Sequence, residues 1–321
     1  MVRIIQFVHS GREHTLSPTE KKNGIKEWNC GSHRRKFMLA QGQYVQGNST
    51  LSPVQDILFW GEWEPTSEVK RLQIPAGGDR VPKWLHKPFL RIGKGGNVIL
   101  PKPTLTSNTS KTCSCTQKHT CAPTHSHKCC PSNGINQDTD PFVFGDEFLY
   151  SNCRQTNLTV MRNLAKGTII LFGSYVLSGP SAPYFELDTV FVVGENRSYT
   201  PKTVKKDLSG FVPPQYLPIM GYGRQNTSPQ FTCYKGASFN NHVNGMYSFV
   251  PCKPCGGPVA GFQKPKLTSA TLSLIAKNLL SVKYTNSTLQ QNKVVWNKIR
   301  NIINQQGFYE GVNLQYQLHQ Y

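Results

Sequence analysis

The stretch that most constrains this chain runs from Phe142 to Glu195. It reads FVFGDEFLYSNC, RQTNLTVMRNLAKG, TIILFGSYVL, SGPSAPY and FELDTVFVVGE in turn. Leu158, Met161 and Leu164 recur at three-residue steps, the spacing of a helical face, and Gly167 stands where a glycine would end the turn. Two apolar runs follow, 168–177 and 185–193. Both are rich in β-branched and aromatic residues, and a Gly/Pro/Ser turn separates them. Strand, helix, strand, loop, strand is the predicted order, and it supplies a core without naming a reaction.

The rest of the chain is read around that core. Residues 1–8 predict an opening strand. Residues 56–65 (DILFWGEWEP) predict a strand with two unlike faces: Trp60, Glu62 and Glu64 alternate with Phe59, Gly61 and Trp63. Residues 287–306 place Leu289, Val295, Trp296, Ile299, Ile302 and Ile303 on one broad helical face, with Ser287 positioned to cap it and Gly307 to end it. Gly 27 and Pro 22 favour short strands and loops over long helices. The expected fold is α+β: a mainly β core, a Cys/His-rich zinc insertion and a C-terminal helix. The expected domain division is 1–265, a β-rich binding domain carrying the insertion at 104–140, and 266–321, a helical segment packed on it.

Lys+Arg number 36 against 17 Asp+Glu, a formal net charge of +19. A field of that sign draws in polyanions, and nucleic acid is the expected partner. Cations interleaved with rings form the surface a single strand needs, charge for phosphate and rings for stacking. Arg34, Arg35 and Lys36 form one basic run; Lys83, Trp84, Lys87 and Arg91 form an interleaved one; Lys205 adds to a third. Trp60 and Trp63 are the stacking candidates beside Glu62. A solvated basic face is the plainer alternative for the runs, and a core strand for the tryptophans. His9, Arg12 and His14 crowd into one loop, HSGREH.

Residues 103–140 nearly lack apolar side chains and cannot bury a core. They hold Cys113, Cys115, His119, Cys121, His125, His127, Cys129 and Cys130, a composition suited to structural zinc. The alternative is a disordered loop that meets metal by chance. Cys252 and Cys255 (CKPC) supply half a zinc site, which Cys30 and His33 are placed to complete. The acids cluster as Glu62/Glu64, Asp146/Glu147 and Glu186/Asp188. If Glu62, Asp146, Glu186 and Asp188 met across a sheet, they would hold Mg²⁺ for phosphodiester cleavage. No nucleophile elbow, dinucleotide fingerprint or phosphate-binding glycine loop occurs. With no signal-like or spanning apolar run, the expectation is a cytoplasmic protein with no membrane partner, despite six N-x-S/T matches.

Over roughly fifty residues, NLAKGTIILFGSYVL…FELDTVFVVGE resembles the PUA-like folds, small β-barrels of the EVE and ASCH types. There a helix leads into an L-x-x-G-D-x-I-L-F strand and the next strand carries V-x-V-x-E. Lys166-Gly167-Thr168 replaces the Gly-Asp step here. The resemblance implies binding of RNA or modified bases in an aromatic-lined pocket, with Phe59, Trp60, Glu62 and Trp63 as its wall. The chain also looks like proteins encoded near DNA-modification and phage-defence systems. The expected function is therefore a nucleic-acid or modified-nucleotide binding module. The alternatives are an Mg²⁺-dependent nuclease or nucleotide-modifying enzyme, and a basic subunit of a larger nucleoprotein assembly.

Overall fold

The computed structural model describes residues 1–9, 11–28, 34–46, 50–73, 80–99, 138–176, 183–220, 230–268 and 282–321, with backbone alone at 111–112 and 120–121. The first half contributes β1 (Val2–Val8), α1 (Pro18–Asn23), β2 (Ile25–Lys26), β3 (Lys36–Gln46), β4 (Thr50–Leu51), β5 (Gln55–Gly61), β6 (Ser67–Arg71), β7 (Trp84–Ile92), β8 (Lys111–Thr112), β9 (Thr120–Cys121) and β10 (Leu149–Tyr150). The second half contributes β11 (Ile169–Val176), β12 (Tyr184–Tyr199), α2 (Val204–Leu208), β13 (Phe231–Gly236), β14 (Val250–Pro254), β15 (Lys266–Thr268), β16 (Val282–Ser287), α3 (Leu289–Gln305), β17 (Tyr309–Gln315) and β18 (Gln317–Gln320). The fold is α+β with a mainly β core and a C-terminal helix.

The two apolar runs of the organising stretch become β11 and β12, paired antiparallel, with β1 lying parallel to β11. The sheet they centre runs β10-β13-β12-β11-β1-β16. Alternate residues of these strands enter different cores. Phe7, Ile170, Phe172, Phe191 and Val193 face the other sheet. Val8, Ile169, Leu171, Val190 and Val192 share a cluster with Trp296, Ile299 and Ile303 of α3. A strand buried on both faces has no polar position to alternate with, which is why these runs read as continuous hydrophobics. The predicted helix before them shrinks to one 3₁₀ turn, Thr159–Arg162, and Gly167 ends the segment at φ 85°.

The second sheet runs β17-β14-β5-β3-β7-β6-β2. It also closes on itself, because β17 pairs with both β14 and β3. Long β3 makes this possible by pairing β7 near its start and β17 near its end. Gly42 sits where the ring is tightest; a Cβ there would meet Leu314 and Ile57 at 2.9 and 3.0 Å. The C-terminal segment is thus more than a helix, since β16, β17 and β18 complete both sheets. Its strands were not legible because YEGVNLQ lacks a regular apolar alternation.

Helix α3 starts at a capping box in which Thr288, not Ser287, bonds Gln291. Buried Asn292 donates to the Arg3 and Gly167 carbonyls at 3.1 and 2.7 Å. The Trp296 indole donates to the Tyr247 carbonyl at 3.0 Å. Replacing Trp296 by Ala is expected to cost about 3–5 kcal/mol, because the ring fills the space between helix and sheet. Urea denaturation followed by circular dichroism measures this as a lower midpoint with an unchanged slope.

Candidate functional site

The site forms where the two sheets meet at the ends of β1, β3, β5 and β12. The loop after β1 lies against the chain before β3. His14 N–H donates to the Arg35 carbonyl at 2.9 Å, and Arg35 N–H donates to the Arg12 carbonyl at 3.1 Å. His9 N–H donates to the Gly173 carbonyl at 2.7 Å. The β11–β12 register shifts between Phe172 and Gly173, a bulge that turns Ser174 and Glu186 toward the loop. Only glycine fits at 173, since a Cβ there would collide with the Glu186 carbonyl oxygen. Gly11 is equally confined, with Ser174 Oγ 2.5 Å from where its Cβ would stand.

A ladder of buried ion pairs fills the junction. Glu62 faces His9 Nδ1 at 3.3 Å and accepts a hydrogen bond from Arg35. Arg35 Nε lies 2.9 Å from Asp188, and Lys264 Nζ lies 2.8 Å from the other Asp188 oxygen. Glu186 pairs with Arg80 at 3.2 Å and accepts from Ser174 Oγ at 3.3 Å. Lys264 also lies over the Trp60 ring, 5.1 Å from its centroid. Burial works against the Arg35 cation, but Glu62 and Asp188 outweigh it and raise its pKa. Burial raises the Glu186 carboxyl, against the pull of Lys264 and Arg80. Burial lowers the Lys264 ammonium, against Asp188.

Beside the ladder lies a second polar cluster. Lys36 pairs with Glu64 at 2.8 Å, both fully buried. Lys26 donates to the Trp63, Glu64 and Pro65 carbonyls at 3.4, 2.9 and 3.1 Å. His14 and His86 meet edge to face, centroids 6.2 Å apart. Burial, then the neighbouring Lys36 and Lys26, hold the His14 pKa far below the usual histidine value; burial, then Lys26 and Lys36, do the same for His86. Among the described residues, neither ring nitrogen of His86 has a hydrogen-bond partner.

Above both clusters opens a cavity of about 730 Å³. Among the described residues, Arg12, Lys21, Arg34, Arg80, Lys83 and Lys264 line it, against Glu13 and Glu186 among carboxylates. Trp60, Trp84 and Tyr175 supply rings, and His9 and His14 complete the wall. Glu13 is spent on structure: one of its oxygens accepts the Lys83 and Trp84 backbone N–H groups at 2.8 Å each.

The sequence candidates are thereby sorted. Arg34, Trp60, Lys83, Trp84 and Glu186 line the cavity, while Glu62, Asp188 and Arg35 lie in the ladder beneath. Lys36 is buried on Glu64. Trp63 is wholly buried in the core between the sheets, its indole donating to the Thr66 carbonyl at 2.8 Å. Lys87 and Lys205 are exposed away from this cavity, and Arg91 is paired with Glu27 at 3.1 Å. Asp146 is exposed in the turn before β10 and does not join the other acids. Each acid that does converge already faces a cation, so Mg²⁺ would compete with Arg35, Lys264 and Arg80 for the same oxygens. Arg12, His14, Lys21, Arg80, Tyr175 and Lys264 complete the wall. Only the HSGREH crowding hinted at any of them; Arg80 and Lys264 sit in loops with no local pattern.

The 113–130 ligand set (Cys113, Cys115, His119, Cys121, His125, His127, Cys129 and Cys130) lies outside the residues whose side chains are described, as do Cys30 and His33. Cys252 and Cys255 stand three apart along extended chain, so they face different clusters: Cys252 is buried between the sheets, and Cys255 packs on the outer face beside Phe37 and Trp60. Burial pushes the Cys252 thiol far up. Among the described residues, no group of three or more His, Cys, Asp or Glu side chains is arranged to hold a metal ion. No described helix is long and apolar enough to cross a membrane. No family model, curated protein or solved structure matches the chain.

Two outcomes are expected. Arg35→Leu leaves Glu62 and Asp188 short of a buried counter-charge and lowers stability by about 3–5 kcal/mol in urea denaturation. The second concerns pH. A histidine whose pKa is lowered by folding binds its proton more readily when unfolded, so its contribution is intact above pH 6.5 and is lost as pH falls below that value. The loss is about 1.4 kcal/mol per pH unit for each such ring. His86→Leu should therefore lose stability less steeply than the parent between pH 6.5 and 5, by about that slope. Equal slopes for the two proteins in denaturation midpoints would contradict this.

Proposed function

We propose that the protein binds a nucleotide, either free or as an unpaired unit of a nucleic-acid strand, in the cavity between the sheets. The observation that carries this reading is that, among the described residues, six cationic side chains and two carboxylates surround a space that also presents Trp60, Trp84 and Tyr175. Phosphate groups suit Arg12, Lys21, Arg34 and Lys83, whose cationic ends need no rearrangement of the buried ladder to meet an anion. The half-buried Trp84 offers a ring for a base. Trp60 is nearly covered and is held by its indole on the Phe262 carbonyl at 2.8 Å, so it forms the back wall. A space of this volume is the size of a small-molecule site and takes one nucleotide, not a duplex.

Fluorescence anisotropy with a labelled single-stranded oligonucleotide, competed by mononucleotides, tests the reading. Affinity should fall linearly with the logarithm of salt concentration. Arg34→Ala should reduce that slope by about 0.7, as expected for one single-strand phosphate contact. Trp84→Ala should cost about 1–3 kcal/mol of binding with the salt slope unchanged. Affinity indifferent to salt would remove the phosphate contacts and the proposal with them.

A further inference from the structure

We propose that the cavity recognises a chain of phosphates, so that its ligand is a nucleotide carrying a 5′ di- or triphosphate, free or at the start of a nucleic-acid strand. The inference rests on the nucleotide-binding reading and names the ligand class within it. Of the six described cations lining the cavity, Arg80 and Lys264 are held by Glu186 and Asp188. Among the described residues no carboxylate forms an ion pair with Arg12, Lys21, Arg34 or Lys83. Glu13, the other described carboxylate of the wall, offsets one of these four charges and leaves three. A terminal monophosphate brings about two negative charges. A chain of phosphates brings more, with oxygens enough for several donors.

Three of the four cations are tied together through Glu13. Arg12 precedes it in the chain. Glu13 forms a parallel bridge with Arg35, whose N–H donates to the Arg12 carbonyl at 3.1 Å and whose carbonyl accepts from His14 at 2.9 Å. That bridge brings Arg34 alongside Arg12, while the Arg35 guanidinium turns away to Glu62 and Asp188. One Glu13 oxygen accepts the Lys83 and Trp84 N–H groups at 2.8 Å each, which draws Lys83 and the neighbouring ring to the same place. One carboxylate thus gathers cations from three segments that lie far apart in sequence.

Arg12, Lys21 and Lys83 are exposed and Arg34 is half-buried, so each meets an anion without breaking a buried ion pair. Four like charges around one space repel one another, and each phosphate added to the ligand relieves more of that repulsion. Trp84 shares the Glu13 oxygen with Lys83, which sets a ring for the base beside cations for the phosphates. Glu13 is a positioning residue here, since its bonds go to backbone N–H groups. Removing its charge alone strengthens attraction for an anion. Removing its acceptor oxygen releases Lys83 and Trp84 from the loop that carries Arg12.

The test measures Kd by titration calorimetry on the full chain, in EDTA at fixed ionic strength. The probes are AMP, ADP and ATP, and an RNA hexamer ending in a 5′-hydroxyl, 5′-monophosphate or 5′-triphosphate. Affinity should rise about tenfold for each added phosphate, the scale of one charge-assisted hydrogen bond, in the free series, the hexamer series or both. The series that shows the rise names the source of the phosphates. At least one of Arg12→Ala, Arg34→Ala and Lys83→Ala, with the thermal melt retained, should narrow the triphosphate-to-monophosphate ratio by about tenfold. Glu13→Gln keeps an acceptor oxygen and sheds the charge, so it should bind the triphosphate at least as tightly as the parent, and Glu13→Ala more weakly. Binding with no preference for added phosphate in either series overturns this inference and leaves the binding proposal standing. Failure to bind any probe overturns both. A preference unchanged in all three alanine variants also overturns it, by placing the phosphates elsewhere. Tighter binding by Glu13→Ala, or weaker binding by Glu13→Gln, overturns the positioning role of Glu13.

Discussion

Arg35 is the residue on whose ion pairs the arrangement of the site depends. It stands just before β3 in one sheet, and its guanidinium reaches Glu62 beyond β5 and Asp188 on β12 of the other sheet. Two carboxylates drawn into a dry junction repel each other and resist losing water. A planar cation with several donors can serve both at once, which a single apolar contact cannot do. Lys264 extends the same logic to the second Asp188 oxygen. Apolar packing brings the sheets together over a wide area, while this ladder fixes where their ends meet.

That junction also explains why a cavity opens there. The bulge at Gly173 and the close passage of Gly11 hold the loop after β1 against β11, leaving Arg12 at the rim and His9 within the wall. Among the described residues the ladder sets Glu62, Asp188 and Glu186 against Arg35, Lys264 and Arg80, so these pairs add little net field. The surplus positive charge comes from the rim, where side chains remain hydrated and an arriving anion costs little desolvation. The proposed binding thus draws on the rim, while the ladder beneath it fixes the junction.

Several residues were legible in part. The run Arg34-Arg35-Lys36 reads as one basic patch, yet the three side chains divide among the cavity wall, the ladder and a buried pair with Glu64. The alternation puts Trp60 and Trp63 on opposite faces, as the structure has them, but it does not show that Trp63 is the one shut in the core between the sheets while Trp60 backs the cavity. No local pattern reveals that the acids at 62 and 64 have partners 27 and 28 residues upstream. Arg80 and Lys264 had no signal at all: each lies in a loop, and each matters through an acid on β12.

The sequence by itself determined the β-rich core, the doubly buried strands β11 and β12, the terminal helix and the cationic surplus. These follow from composition and from periodicity over short windows, where neighbours along the chain are neighbours in space. Only the tertiary structure decided which cations are neutralised, which rings stay accessible and which acids converge. Those outcomes depend on pairings between residues far apart in the chain, such as Arg35 with Asp188. Electrostatic balance in a buried junction is set by distance and burial, neither of which a one-dimensional pattern contains.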